Sequence, residues 1–410
     1  MNDSRTLWHN RDYLLLWSGQ IISSLGTQLS QLAFPLLILA LTKSPAQAGI
    51  VGTLRALPYI VLSLPAGALV DRWNRKKIMI YCDTGRALCM LSIPLAAVIG
   101  HMTLFQIYSV ALLEGSLAVF FSLASAASLT NVVAKAQLPE AMGRYQATEG
   151  VTLLIGPLLG GLLYSIANAL PFFMDAISYV VSAVSLCFIA TSFQRELLTV
   201  TPKHIGADII EGLVWLWRQP LILFLAVLSG GVNVFLASFP LIVIVLAQQQ
   251  HVSPFTIGLI FAIGGCGGIA GALFGGVIKK RFRFGQVIGG ILWSWVVFWA
   301  LYLVVSNLIV LGIISTIFFF SEPVYNVVQF SHRLSLIPDR LQGRVNSAFR
   351  LIAFSGPPLG LALTGMLLQT IHVQPTILVF LGILMSLALV TTLSSHMQMS
   401  SEGSRTMPNQ

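Results

Sequence analysis

The chain has 410 residues, 56% of them hydrophobic and only 9% charged, with a formal net charge of +9. A soluble domain of that composition lacks the polar surface to face water, so an ordinary globular enzyme is excluded and the bilayer becomes the solvent. The basic excess needs no nucleic-acid partner, because loops resting on anionic headgroups account for it.

Stretches able to cross about 30 Å of hydrocarbon at about 1.5 Å per residue are expected, in chain order, at about 13–41, 45–70, 77–99, 103–130, 146–168, 171–192, 220–247, 254–278, 286–305, 308–333, 346–370 and 374–393. The expected fold class is therefore all-α integral membrane, with twelve transmembrane helices. The first run is too long for a signal-peptide core and no small-residue cleavage site follows it, so it reads as a retained span. Basic residues flanking spans stay on the cytoplasmic side. With the N-terminus inside, Arg5, Arg11, Arg72, Arg75, Lys76, Lys77, Lys135, Arg144, Arg195, Lys203, Arg218, Lys279, Lys280, Arg281, Arg283, Arg333, Arg340, Arg344, Arg350 and Arg405 all fall inside. Lys43 alone falls in an outer loop, and Arg55 and Arg86 lie within spans, so both termini are expected in the cytoplasm. The polar stretch 193–219 reads as a cytoplasmic central loop, within which Ile205 to Trp217 is amphipathic and Trp215 and Trp217 suit the membrane interface.

The chain also repeats itself about 200 residues apart. Leu138-Pro139-Glu140-Ala141-Met142-Gly143-Arg144 is echoed by Ile337-Pro338-Asp339-Arg340-Leu341-Gln342-Gly343-Arg344, and Gly156-Pro157-Leu158-Leu159-Gly160 by Gly356-Pro357-Pro358-Leu359-Gly360. Ser44-Pro45 with Gly49 and Ser253-Pro254 with Gly258 repeat at a similar interval. Two matching membrane halves are the architecture of a secondary transporter. The expected division is an N-terminal six-helix half at 1–192, the central loop at 193–219, a C-terminal half at 220–393 and a cytoplasmic tail at 394–410.

Two local motifs add function. Gly67-Ala68-Leu69-Val70-Asp71-Arg72-Trp73-Asn74-Arg75-Lys76-Lys77 joins spans 2 and 3; Gly67 is expected to permit close helix approach, and Asp71 to sit near a helix N-terminus, where a carboxylate is favoured. The matching loop in the second half, Gly275 to Arg281, lacks the acid, so a latch would act on one side only. In span 5, Gly150-Val151-Thr152-Leu153-Leu154-Ile155-Gly156-Pro157-Leu158-Leu159-Gly160-Gly161 combines a helix-kinking proline with glycines that allow close packing, a pivot with a weaker echo at Gly356 and Pro357. The first motif resembles the loop signature of the major facilitator superfamily and the second its drug–proton antiporter signature. Leu64 to Arg72, Asp83 with Arg86, and Leu154 to Pro157 extend that resemblance toward the bacterial branch of macrolide-efflux and siderophore exporters. The resemblance implies two pseudo-symmetric six-helix halves in the bacterial inner membrane, no cofactor, and a monomer. It further implies alternating-access efflux of a bulky amphipathic small molecule, driven by proton antiport. A lysophospholipid flippase, an uptake symporter or a non-transporting membrane sensor of the same fold stays open. One departure is span 4, which carries no Arg; its only charge is Glu114.

Ionisable residues inside spans are costly, and each is a functional candidate. Arg55 and Glu114 both lie roughly 15 Å deep by residue count, so they are expected to meet near the midplane. Glu114 is then a proton-coupling candidate whose proton affinity depends on the nearness of Arg55; a static ion pair joining two helices fits equally. Asp83 and Arg86 read as an intrahelical structural pair. Glu149 opens the span 5 pivot and is either first-turn electrostatics or a gate partner of Arg350. Asp175 is expected to be solvated near the outer end of span 6. Glu322, about 21 Å into span 10 and with Leu123 as its counterpart in the first half, is the second proton-site or cationic-substrate candidate, a cytoplasmic gate contact fitting equally. Phe34, Phe235, Phe239 and Phe319 are cavity-lining candidates on spans 1, 7 and 10, which line the cavity in the superfamily. Trp293, Trp295, Trp299 and Tyr302 are expected at the interface or facing lipid. Cys82, Cys89, Cys187 and Cys266 all fall within spans and suit neither a disulfide nor a metal cluster. No phosphate-cradling Gly-x-x-x-x-Gly-Lys loop, His-Glu-x-x-His helix or Gly-x-Ser-x-Gly elbow occurs, so neither ATP-driven transport nor intramembrane hydrolysis is expected.

Overall fold

The computed structural model describes residues 7–193, 205–304, 308–338 and 341–394. Arg5, Arg195, Lys203, Arg340 and Arg405 lie outside the described residues, as do 194–204 of the central stretch and 395–410 of the expected tail.

Among the described residues the chain forms fourteen α-helices: α1 (Arg11–Thr42), α2 (Pro45–Arg72), α3 (Arg75–Ile99), α4 (Leu104–Val132), α5 (Leu138–Ile166), α6 (Leu170–Cys187), α7 (Ile205–Arg218), α8 (Pro220–Gln249), α9 (Pro254–Arg281), α10 (Phe284–Leu301), α11 (Leu308–Leu336), α12 (Gln342–Phe354), α13 (Gly356–Thr370) and α14 (Val373–Leu393). Twelve spans, with α12 and α13 counted as one, are long and apolar enough to cross a membrane.

Helix starts follow from caps written into the sequence. Asn10, Ser44, Asn74 and Thr103 each accept a hydrogen bond from the backbone N–H three residues on, at 3.0, 3.4, 3.1 and 3.2 Å, opening α1 to α4. The repeated Ser-Pro pairs do the same work twice. Ser44 precedes Pro45 at the start of α2, and Ser253 accepts from Thr256 N–H at 3.2 Å before Pro254 opens α9. Gly100 ends α3 in the left-handed region at φ 77°.

The chain divides into two compact units, one of Met1–Val200 with His251–Ala262, the other of Thr201–Gln250 with Ile263–Gln410. Each unit repeats one pairing scheme. In the first, α1 packs on α5 and α6, α2 on α4, and α3 on α4 and α6; in the second, α8 packs on α13 and α14, and α10 on α11 and α14. The partner of the α2–α4 contact is α9 against α11, where a Cβ on Gly267 would come within 2.8 Å of the Thr316 carbonyl carbon. Small residues at these crossings let backbones touch, the usual route to tight packing in lipid.

The helix carrying the second Gly-Pro is interrupted, whereas α5 runs unbroken through Pro157. Pro357 has no N–H to offer the Ala353 carbonyl four residues back. Asn233 Nδ2 on α8 donates to that carbonyl instead, at 2.9 Å. Gly356 and Gly360 bring α13 against α8 around Val234, as Gly156 and Gly160 bring α5 against α1 at Gln28 and Leu29.

Part of the central stretch is a helix docked on its own unit: α7 packs on α12, with Gly212 against the Arg344 backbone carbonyl and Glu211 paired with Arg344. Trp217 is 69% exposed.

The tryptophans of α10 correct the expectation of an interfacial or lipid-facing role. Trp295, Trp299 and Tyr302 are only 0%, 2% and 3% exposed, packed with Phe235, Phe239 and Phe318 in the core of the second unit. Their polar tips find partners inside: Trp295 Nε1 donates to Ser321 Oγ at 2.6 Å, Trp299 Nε1 to the Ile377 carbonyl at 3.1 Å, and Tyr302 shares a 2.7 Å bond with Ser315. With those bonds made, the rings have no need of the membrane–water interface.

Candidate functional site

Four helices of the first unit, α2, α3, α4 and α6, bring charge to one buried place, with α1 closing over it. Gly115 makes this possible between α2 and α4, because a Cβ there would lie 3.2 Å from Arg55 Cα and nearer still to its carbonyl oxygen. Arg55 Nε therefore donates to Glu114 Oε2 at 2.7 Å, so the two residues do meet. From α3, Arg86 donates to Glu114 Oε1 through Nη2 at 2.9 Å and Nε at 3.2 Å. Glu114, 1% exposed, is thus clamped between two guanidiniums, with Tyr179 OH donating to it at 3.3 Å. Arg86 also donates to Tyr179 OH at 2.7 Å and stacks over that ring at 4.0 Å, and Thr27 of α1 shares a 2.9 Å bond with the same hydroxyl.

The expected Asp83–Arg86 pair is present, at 3.7 Å between Oδ1 and Nη1, but the guanidinium gives hydrogen bonds to Glu114 on α4 and leaves the wholly buried Asp83 carboxylate with none. Asp175 corrects a second expectation: it is 0% exposed rather than solvated. It sits only five residues into α6, but Gly26 lets α1 lie directly over it, so close that a Cβ on that glycine would stand 2.6 Å from Asp175 Oδ1. Ser178 Oγ donates to Oδ1 at 3.3 Å, Oδ2 has no hydrogen-bond partner, and no basic nitrogen among the described residues lies within 4.0 Å of the carboxylate.

Phe34 joins this site as cover, 5.2 Å from the Arg55 guanidinium and 4.9 Å from the Phe172 ring. Phe235 and Phe239 lie instead in the packed aromatic core of the second unit, 0% and 1% exposed, with Phe319 edge-on to Phe239 at 5.6 Å. Glu322 accepts from Asn326 on its own helix at 3.2 Å.

The first unit also holds a cavity of about 220 Å³ between α1, α4 and α5, which was not expected from the sequence. Its polar wall is a stripe of Gln20, Ser23 and Ser24 on α1 facing Ser122 and Ser125 on α4, and Gln20 donates to Ser125. The three-and-four spacing of those residues was a visible signal of one helix face. Trp17, Tyr145 and Phe121 supply apolar wall. Phe121 links cavity to charge, for its ring lies 5.8 Å from the Arg86 guanidinium. Glu149, beside the cavity, accepts from Ser24 at 2.8 Å.

The two motifs fall at helix ends and crossings. Arg75, at the first turn of α3, donates to Asp71 at 3.2 Å and to the Ala127 carbonyl of α4 at 3.2 Å, while Lys76 donates to the Ile189 carbonyl beyond α6 at 2.7 Å. Arg72 closes α2. Gly67 does not serve close approach, since a Cβ there would meet nothing within 4 Å. In α5, Gly150 is half-buried, and Pro157 and Gly161 face residues 254–258 of the same unit, where a Cβ on Gly161 would stand 3.2 Å from Gly258 Cα.

A fold of twelve spans in two like units, with a charge cluster inside one of them, defines a class of membrane transporter. The Major Facilitator Superfamily pattern matches residues 16–361, and the chain belongs to that superfamily. It is 25% identical over 386 residues to the multidrug efflux pump Tap of Mycolicibacterium fortuitum, covering 89% of this chain and 91% of the relative. It is 24% identical over 391 residues to macrolide efflux protein A of Streptococcus pyogenes, covering 92% and 94%. Among solved structures, a bacterial homologue of the human lysosomal transporter Spinster, inward-facing and unoccupied, superposes with a TM-score of 0.76 at 14% identity, covering 98% of this chain and 99% of the other, which shows the shared fold.

Proposed function

We propose that this transporter is a secondary active exporter, carrying a bulky amphipathic small molecule out of the cytoplasm in exchange for protons by alternating access. The observation that carries the reading is a charge imbalance. Three buried carboxylates, Asp83, Glu114 and Asp175, face two guanidiniums, Arg55 and Arg86, so one proton balances the cluster. Glu114 is the carboxylate held by both arginines, and Asp175 is the one with no basic nitrogen within 4.0 Å. The exchangeable proton therefore belongs on Asp175, with Glu114 as the anchor that fixes the arginines. Movement of Arg86 toward Asp175 would expel that proton, since an added cation favours the ionised carboxylate. The efflux activities named for two relatives support export, and the aromatic and hydroxyl-lined cavity suits an amphipathic guest. The chain would work as a monomer in the bacterial inner membrane with both termini cytoplasmic, following its basic loops.

The test is accumulation in inside-out vesicles with an acidic interior of a macrolide, a cationic dye, a catecholate siderophore and a lysophospholipid. Uptake that collapses with the gradient, and that loses its gradient dependence in Asp175→Asn, is expected. Gradient-dependent uptake that survives Asp175→Asn removes the proton from that residue. Lysophospholipid flux without a gradient would replace export with flipping.

A further inference from the structure

Among the described residues, the second unit contains the reverse imbalance, a buried cation without an anion. We infer that Arg333, with Gln329 beside it, forms a recognition site for the carboxylate or phosphate group of an anionic amphiphile. Gln329 and Arg333 lie four residues apart on α11, hence on one face, and are 6% and 5% exposed. The guanidinium carbon lies 3.7 Å from the centroid of the Phe349 ring on α12 and 5.3 Å from that of Phe330. Among the described residues no carboxylate comes within 4.0 Å of Arg333, whereas Arg55 and Arg86 of the first unit both have Glu114. Glu322 is eleven residues earlier on α11, about 16 Å away along the axis. Arg333 Nε and Gln329 Nε2 are both buried without a hydrogen-bond partner. Asn346, three residues before Phe349 and so on the same face of α12, also keeps an unpartnered Oδ1.

An unpaired cation held out of water is costly, so one that is buried in the last turn of a span calls for a negative group to meet it. A guanidinium lying flat on a ring keeps its edge of N–H donors free. Two of them match the two oxygens of a carboxylate or phosphate, and Gln329 Nε2 supplies a third donor. Phe330, 47% exposed, offers apolar surface to the chain or ring that carries the acid. The ligand is thus an anionic amphiphile, either a soluble acid or a lipid headgroup. Its amphipathic carrier rests on the export reading; the acid recognition does not.

The test is calorimetric titration of the purified protein in phosphatidylcholine nanodiscs with 1-naphthoate and with its neutral isostere 1-naphthamide, corrected for empty discs and with no gradient imposed. A preference for the acid of roughly ten- to a hundredfold is expected, as charge-assisted hydrogen bonds give. It should vanish in Arg333→Gln and survive in part in Arg333→Lys. Arg333→Gln loses the stacking on Phe349 and should lower the melting point by only about 2–4 °C, so the variant stays folded for the titration. Equal binding of acid and amide, no binding of the acid, or a preference that survives Arg333→Gln would each overturn the site. Repetition in phosphatidylglycerol discs separates the sources: loss of the preference there assigns the site to a lipid phosphate, and its persistence assigns it to a soluble acid. Acid preference without gradient-driven uptake in the vesicle assay would refute antiport and leave the site standing, and the converse result would refute the site alone.

Discussion

Glu114→Gln removes the one group that holds two arginines at once. The carboxylate accepts from Arg55 at 2.7 Å, from Arg86 at 2.9 and 3.2 Å and from Tyr179 at 3.3 Å, at 1% exposure. An amide keeps the shape but offers one acceptor oxygen and no charge, leaving Arg55 without its carboxylate and Arg86 with Asp83 alone at 3.7 Å. Breaking a buried pair from one side costs about 3–5 kcal/mol. In a unit of about two hundred residues that corresponds to a fall in melting temperature on the order of 10 °C. The fall can be read with a thiol-reactive dye in detergent, because Cys82 is buried on α3 and becomes reachable on unfolding. Adding Arg86→Met to Glu114→Gln should recover part of the loss, since the second change removes a cation that the first orphaned. A melting point for Glu114→Gln within about 1 °C of wild type, or a double variant less stable than the two single losses combined, would refute the anchor role.

On the proposed proton assignment, Asp175→Asn exchanges a neutral acid for a neutral amide and is expected to leave stability within about 1 kcal/mol, which the same dye melt checks. Gly115→Ala places a methyl group against the Arg55 backbone and should cost about 1–3 kcal/mol, lowering the melting temperature even though the residue carries no charge. Ser321→Ala strands the Trp295 indole N–H, which is wholly buried, and should cost about 1–3 kcal/mol in the same assay. Ligand entering the cavity of the first unit should quench Trp17 fluorescence, and Trp17→Phe should abolish the signal while Trp295→Phe leaves it.

The spans were legible because hydropathy over about twenty residues is a property of composition, and the helix starts because Asn, Ser and Thr before a helix act locally. Arg55 and Glu114 could be matched by depth, since each lies on a continuous helix whose rise per residue is fixed. Depth failed for Asp175, where it is α1 lying over it at Gly26, and no property of α6, that excludes water. Spacing pointed to the Asp83–Arg86 pair but not to the stronger hold of Arg86 on Glu114, a choice between acids on two helices that packing sets. The burial of Trp295 and Trp299 was not legible because the interface preference is an average over sequences, and their partners, Ser321 on α11 and the Ile377 carbonyl on α14, lie on other helices. The cavity was readable in outline as a polar stripe on α1, but which helix faces that stripe is a tertiary fact.

The break at Ser355 carries a mechanical consequence. α5 lacks one rung of its ladder, where Pro157 offers no N–H to the Leu153 carbonyl, yet it stays helical throughout. Between α12 and α13 the helix itself stops at Ser355, and Asn233 crosses from α8 to bond the Ala353 carbonyl while Gly356 and Gly360 press α13 on Val234. The second unit is therefore jointed where the first is continuous, and the two halves of a duplicated sequence differ in where they can bend as well as in charge.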